Sequence, residues 1–210
     1  MYQKIAGKTT VAEIVSLYGN DARGRLEPYF NKAGITYPPR KIMLLGIKKT
    51  HALEVWAETD SGPQYIRTYD IQALSGSLGP KLREGDKQVP EGLYEIEGLN
   101  PNSSYHLSMK INYPNAYDIK YASIEGRDKP GTNIFIHGKA VSIGCLAMGD
   151  TTIEELFVMA ADVGVSNVHI AIAPTDPRVL PLSVNVKPDW VAIMYEKLNS
   201  HFQKYLRYKS

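Results

Sequence analysis

The sequence predicts an α+β domain, mainly β, with a β-sheet core and a helix at each end. Three observations carry that expectation. Val11, Ile14, Val15 and Tyr18 recur at the i, i+3, i+4, i+7 spacing of an amphipathic helix. Between residues 41 and 113 the apolar runs are short and are separated by Gly, Pro, Asn and Asp, the punctuation of strands and turns. Trp190, Ile193, Met194, Leu198, Phe202 and Tyr205 then trace one face of a C-terminal helix, with Pro188 and Asp189 in its first turn.

Taken in order, the first helix is expected to stop at Gly19-Asn20. A second helical piece through Leu26, Tyr29 and Phe30 runs to Gly34, with Pro28 blurring its start. Lys41 to Ile47 reads as a strand. Leu53, Val55 and Ala57 alternate with Glu54, Trp56 and Glu58, the pattern of a half-exposed strand, and Tyr65 to Tyr69 is its partner across the Asp60–Pro63 turn. Residues 75–87 carry no regular pattern, which fits either an ordered functional loop or a floppy one. Gly92 to Ile96 and Tyr105 to Tyr113 read as further strands, and residues 112–118 as a turn dense in polar and aromatic side chains. Thr151 with Glu154, or Thr152 with Glu155, fits a capping box opening a helix whose buried face is Leu156, Met159, Ala160 and Val163. Asn167 to Ala173 is a last strand. Residues 174–188, with four prolines, read as an extended linker. The expected organisation is a helical lead-in over 1–38, a β-rich central domain over 39–175, and a Pro-rich linker with a C-terminal helix packing on the domain over 176–210.

Bulk composition narrows the function. Of 210 residues 43% are hydrophobic and 22% charged, as in ordinary globular proteins, and a net charge of +2 gives no reason to expect nucleic acid or an anionic membrane as the main partner. No stretch is long and apolar enough to span a bilayer as a transmembrane segment. The first residues lack the apolar core of an export signal, so either the protein is cytosolic or the sequence begins after a removed segment. A single cysteine excludes an internal disulfide and a Cys-based metal site. His51, His106, His169 and His201 lack metal-ligand spacing, and no phosphate-cradling loop is present, so neither a metal nor another cofactor is expected.

The chemistry concentrates in residues 133–150. Ile134 to Ile136 is a short apolar run that delivers His137 to a strand end. Gly138, Ser142 and Gly144 make a turn-rich loop that can return Cys145 toward the imidazole, eight residues on. A thiol needs a nearby base or a lowered pKa to attack an acyl carbon at neutral pH, and the helix expected just beyond would favour the thiolate if Cys145 lay close to its N-terminus. His137 is the expected base, either accepting the thiol proton or holding a thiolate–imidazolium pair. Backbone N–H groups around Gly144 and Cys145 are the expected oxyanion donors. No carboxylate lies between the two residues, so a backbone carbonyl such as that of Gly138 is expected to orient the ring. Ser142 fits a pocket hydroxyl and a turn residue equally. Asp150 fits a helix cap better than a catalyst. Tyr113, Asn115 and Tyr117, with Asp118, fit a substrate groove or an ordinary turn. Lys81, Arg83 and Lys87 fit a substrate carboxylate or plain solvation.

The run Ile136-His137-Gly138-x-x-x-Ser142-x-Gly144-Cys145 resembles the active-site signature of the L,D-transpeptidase (YkuD-type) catalytic domain. It is most similar to the shorter-spaced branch of murein L,D-transpeptidase-like proteins of Gram-negative bacteria. Gly79 to Tyr94, Leu99 to Ser103, Tyr113 to Asn115 and Ser142 to Asp150 resemble that branch too, so the likeness spans roughly residues 10–175. The resemblance implies a cysteine acyl-enzyme that works on peptidoglycan stem peptides in the periplasm or cell envelope. Cys145 matches the nucleophile, His137 the base, Gly138 the carbonyl that orients it, and Ser142 and Gly144 the preceding loop. Many relatives carry Arg or Asn where this chain has Ala147, and histidine where it has Ile143. Those departures leave the acyl acceptor open between an amine and water. A transpeptidase is expected first. A hydrolase of the same family, an L,D-carboxypeptidase or an amidase that releases a wall-linked peptide or lipoprotein, comes next. A non-catalytic cell-wall binding module and a general cysteine protease are the other readings.

Overall fold

A computed structural model describes residues 8–207 of the chain. It contains one eight-stranded mixed sheet and four α-helices. The strands are β1 (Lys41–Ile47), β2 (Ala52–Thr59), β3 (Gly62–Asp70), β4 (Gly92–Ser103), β5 (His106–Ile111), β6 (Phe135–His137), β7 (Leu146–Ala147) and β8 (Val168–Ala173). Their order across the sheet is β3-β2-β1-β8-β4-β5-β6-β7. The helices are α1 (Val11–Lys32), α2 (Ala116–Ile124), α3 (Asp150–Val163) and α4 (Asp189–Phe202). Among the described residues no helix is long and apolar enough to cross a membrane.

The α+β expectation holds, and β1 shows why its run of apolar residues is unbroken. Side chains alternate across a strand. Ile42 and Leu44 enter the main core under α1 and α3. Met43, Leu45 and Ile47 enter a second core, where they meet Trp190, Met194, Leu198 and Phe202 of α4. The same second core corrects the reading of β2 as half-exposed. Trp56 is 1% exposed and Glu54 4%, because α4 and the 174–188 segment cover the face that the pattern assigns to solvent. Arg178 from that segment binds Glu54 through both terminal nitrogens, at 2.8 and 2.9 Å. Ile193 departs from the expected buried stripe of α4 and is exposed.

Helix α1 is continuous, so the expected stop at Gly19-Asn20 is absent. Gly19 is buried, and a Cβ there would fall 2.8 Å from a terminal nitrogen of Arg23. The missing side chain makes room for a guanidinium that forks onto Asp162 of α3 at 2.7 and 2.8 Å. Pro28 removes one helical N–H, but Leu26 and Phe30 on either side are fully buried and carry the helix through it. Thr10 and Glu13 form a reciprocal capping box at its start.

Two further corrections concern helix starts. Helix α3 is preceded by Gly149 and has no side-chain cap, so neither Thr151 nor Thr152 opens a capping box and Asp150 is no cap. Helix α2 is absent from the sequence expectation. Its cap is Asn115, whose side chain accepts from the N–H groups of Tyr117 and Asp118, while Asp118 accepts from the N–H of Asn115.

Strand β4 divides the sheet into two parts. Its first residues pair with β8 and its later ones with β5, with register shifts at Ile96/Gly98 and Asn100/Ser103. β5, β6 and β7 follow beyond that bend and carry the site.

Candidate active site

β6 and β7 run parallel, with Ile136 beside Leu146 and His137 beside Ala147. Cys145 therefore sits one step before β7, level with Phe135. Residues two apart on a strand share a face, and neighbours in register on parallel strands point the same way. Ile136 and Leu146 turn into the main core. Phe135, His137 and Cys145 turn the other way and line one cleft of about 440 Å³.

The loop after β6 is closed by backbone and side-chain bonds. Met148 donates to the carbonyl of His137 at 2.8 Å and Gly149 to that of Lys139 at 2.9 Å. The Ser142 hydroxyl donates to the carbonyl of Cys145 at 2.7 Å and accepts from the N–H groups of Gly144 and Cys145 at 3.3 and 3.2 Å. Ser142 thus lines the cleft while bonding its own turn, and the two expected oxyanion donors are engaged by its hydroxyl in this state. Gly144 has φ +120°, a conformation that side-chain-bearing residues rarely adopt.

His137 is 3% exposed. Its Nδ1 lies 2.6 Å from the carbonyl oxygen of Gly138. A carbonyl only accepts, so Nδ1 carries the proton and, in the neutral ring, Nε2 holds a lone pair. The Tyr105 ring lies against the imidazole with centroids 4.5 Å apart. Burial holds the His137 pKa below its ordinary 6.5, although the Gly138 carbonyl pulls the other way. Burial likewise raises the Cys145 thiol above its ordinary 9.0, opposed by the N–H of Phe135 and the charge of Lys81. At neutral pH both partners are therefore uncharged. The sulfur also lies 4.0 Å from the carbonyl of Asn133, and among the described residues no hydrogen bond joins it to the imidazole.

The 75–87 segment forms the opposite wall, and it is ordered. Asp86 accepts from the N–H groups of Leu82, Arg83 and Gln88 at 3.0, 3.1 and 3.0 Å, and from the ammonium of Lys81. Gln88 donates to the carbonyls of Ser77 and Gly79, and Ser75 lies 3.2 Å from Ser142. Lys81 is buried beside the cleft, while Glu84 and Lys87 line it from exposed positions.

Four residues expected to bind substrate lie elsewhere. The Tyr113 hydroxyl donates to the carbonyl of Pro130 at 2.8 Å and lies 3.3 Å from that of Lys81, where it braces the loop from behind. Asn115 caps α2 and donates to the carbonyl of Leu93. The Tyr117 hydroxyl donates to the carbonyl of Trp190 under α4. Arg83 faces a different surface depression, beside Arg127 and Asp128. Conversely, Tyr105, Asn133 and Phe135 line the cleft without being singled out by the sequence. Ala147, in place of a polar residue, is fully buried, and Val141 and Ile143 give the cleft an exposed apolar lip. Among the described residues no three His, Cys, Asp or Glu side chains gather as a metal site.

The outer strands of a mixed sheet thus bring a thiol and an imidazole to one cleft. Residues 48–170, more than half of the chain, match the family model of the L,D-transpeptidase catalytic domain (YkuD), and the chain belongs to that family. It is 35% identical over 132 residues to YafK, a candidate L,D-transpeptidase of Escherichia coli (strain K12). That match covers 60% of this chain and 51% of YafK, so it spans about half the length of this relative. The crystal structure of the helical cell shape determining protein Pgp2 from Campylobacter jejuni shares the fold. Its TM-score is 0.53 at 22% identity, with 82% of this chain and 61% of that chain covered.

Proposed function

We propose that the protein is a cysteine-dependent L,D-transpeptidase that acts on peptidoglycan stem peptides in the cell envelope, where it contributes to wall biogenesis and cell shape. The observation that carries this reading is the parallel register of β6 and β7, which turns Cys145 and His137 into one cleft while Gly138 pins the ring with Nε2 as the free base. Residues 39–175 supply the chemistry, and the flanking helices brace it.

In the proposed reaction Nε2 of His137 takes the thiol proton as Cys145 attacks the carbonyl that links an L-centre to a D-amino acid. The tetrahedral intermediate collapses to a thioester, and the imidazolium gives its proton to the departing amine. An incoming amine, deprotonated by the same ring, then releases the acyl group as a new amide. The neutral resting pair means that the thiolate forms during attack rather than before it. Small movements must bring sulfur and Nε2 into contact, a tightening common when substrate binds.

A second reading replaces the incoming amine with water. It is favoured by Val141 and Ile143, which place apolar side chains at the lip, and by Ala147, whose complete burial removes it from substrate contact. The products then are trimmed peptides, or a lipoprotein freed from the wall. Incubation with purified muropeptides and mass spectrometry of the products tests both. L-to-D-linked dimers support transfer, and tripeptides or freed lipoprotein stubs support hydrolysis. Binding without turnover by the intact protein would leave a wall-binding module instead.

A further inference from the structure

Asp150 and His137 are attached to opposite ends of one peptide group. The carbonyl of Gly138 accepts from Nδ1 of His137 at 2.6 Å, and the N–H of Lys139 donates to Oδ1 of Asp150 at 2.8 Å. That C=O and that N–H belong to the same planar trans amide and point in opposite directions. A carboxylate on one side therefore fixes the plane that faces the imidazole on the other.

Asp150 sits in the first turn of α3, where its charge suits the helix dipole, but its one side-chain hydrogen bond among the described residues goes to the Lys139 N–H. It is the first residue of α3 and makes no helix cap. Lys139 has φ +57°, rare for a residue with a side chain, and its N–H, C=O and ammonium are all tied down, to Asp150, Gly149 and the carbonyl of Ser104. A Cβ on Gly138 would fall 2.7 Å from Oδ1 of Asp150 and 2.7 Å from the carbonyl of Tyr105. The turn thus has room for the carboxylate only because residue 138 is glycine.

We propose that Asp150 is a positioning residue for His137 that acts through the Gly138–Lys139 peptide. It holds the amide so that its carbonyl meets Nδ1, which selects the tautomer with the lone pair on Nε2. By accepting from the N–H end it also polarises the carbonyl, which strengthens the bond to the ring once the ring is charged. The arrangement performs the task of a triad carboxylate with one peptide interposed. No proton reaches Asp150. When Nε2 takes the thiol proton, Nδ1 keeps its own and the imidazolium charge is met by the carbonyl. The catalytic part of this inference rests on the reading of His137 as the base, but the effect on the ring does not.

The test is histidine nitrogen NMR on the full chain, with the His137 signals assigned by their loss in His137→Gln. The parent is expected to show the Nδ1–H tautomer at neutral pH. Asp150→Ala is expected to give a tautomer mixture and a lower His137 pKa. Asp150→Asn keeps an acceptor for the Lys139 N–H, so it is expected to keep the tautomer while its His137 pKa still falls. Turnover should follow, with kcat in Asp150→Ala reduced by roughly 10- to 100-fold, the size of loss seen when the partner that orients a metal-bound histidine is removed, and KM nearly unchanged. An unchanged tautomer and pKa in Asp150→Ala overturn the proposal. If that variant melts before it can be measured, an unchanged His137 pKa in Asp150→Asn does so. A parent that turns over no muropeptide while Asp150→Ala still shifts the ring would sink the enzymatic reading and leave the positioning role standing.

Discussion

Lys48 and Glu91 meet at 2.9 Å with 5% and 0% of their side chains exposed. The pair joins three parts of the molecule. Lys48 follows β1 directly and also donates to the carbonyls of Gly79 and Val89. Glu91 accepts from the N–H of Gly79 and from the hydroxyl of Tyr195 on α4. The sheet, the loop that walls the cleft and the C-terminal helix are thus tied at one point.

Removing one partner from a buried pair leaves a charge without compensation. Glu91→Ala is expected to cost about 3–5 kcal/mol of stability, and Tyr195→Phe about 1 kcal/mol, both read from denaturant unfolding. A Lys48→Met, Glu91→Leu double variant should be more stable than Glu91→Ala alone. Equal or greater loss in the double variant would show that Glu91 acts by some means other than pairing.

At the cleft, Cys145→Ala should abolish muropeptide turnover and leave the thermal midpoint within a degree or two of the parent. His137→Ala should lower kcat by about 10²–10⁴-fold, the range for a positioned acid–base group. Retained turnover in Cys145→Ala would place the reaction elsewhere.

The pKa directions make a separate prediction. His137 is held below 6.5 and the thiol above 9.0. Iodoacetamide should therefore alkylate Cys145 slowly at pH 7, with the rate still climbing at pH 9 rather than levelling off below it. A plateau of fast alkylation reaching down to pH 6 would mean a preformed thiolate–imidazolium pair. For stability the sign follows from proton uptake. The unfolded chain protonates His137 near 6.5 and the folded chain only below that, so the contribution of neutral His137 is intact above pH 6.5 and is lost as pH falls below it.

Gly138→Ala should reproduce much of the His137→Ala defect without unfolding the protein. The added methyl would meet the carbonyl of Tyr105 at 2.7 Å, and backbone must yield. A cost of about 1–3 kcal/mol is the usual penalty for such overpacking. Full activity in this variant would show that the carbonyl does not orient the ring.

Asp118 offers a test away from the cleft. Burial raises its pKa from 3.8 to about 6, against hydrogen bonds from Asn115 and Tyr94. The folded state then holds a proton that the unfolded state has released, so stability falls as pH rises from about 4 to 6. Asp118→Asn should be at least as stable as the parent at pH 7 and should lose any advantage below pH 4, as read from urea midpoints.

Much of the sheet is legible in the sequence because it is buried on both sides. The Lys41–Ile47 run announces itself by having no polar break, whereas the expectation of a turn over residues 112–118 passes over the capping signal Asn115-x-x-Asp118 that opens α2. The position of α4 is not legible, since nothing local says that Trp56 faces a helix more than a hundred residues later. At the site, spacing and glycine content single out Cys145, His137, Gly138, Ser142 and Gly144. Tyr105 is invisible in that way, because it precedes β5 in a turn and reaches His137 only through the pairing of β5 with β6. Tyr113, Asn115 and Tyr117 have the composition of a groove, yet each spends its polar atoms on backbone behind the loop or under α4.

One sulfhydryl and two indoles give the unmodified chain separate reporters for its two ends. Trp56 lies in the core beneath α4 and Trp190 on the buried face of α4 itself, whereas Cys145 opens on the cleft at the far edge strands. Intrinsic emission should register the detachment of the C-terminal helix, and maleimide uptake the opening of the cleft. If the Lys48–Glu91 junction couples the two regions, the two signals should change together along a urea titration.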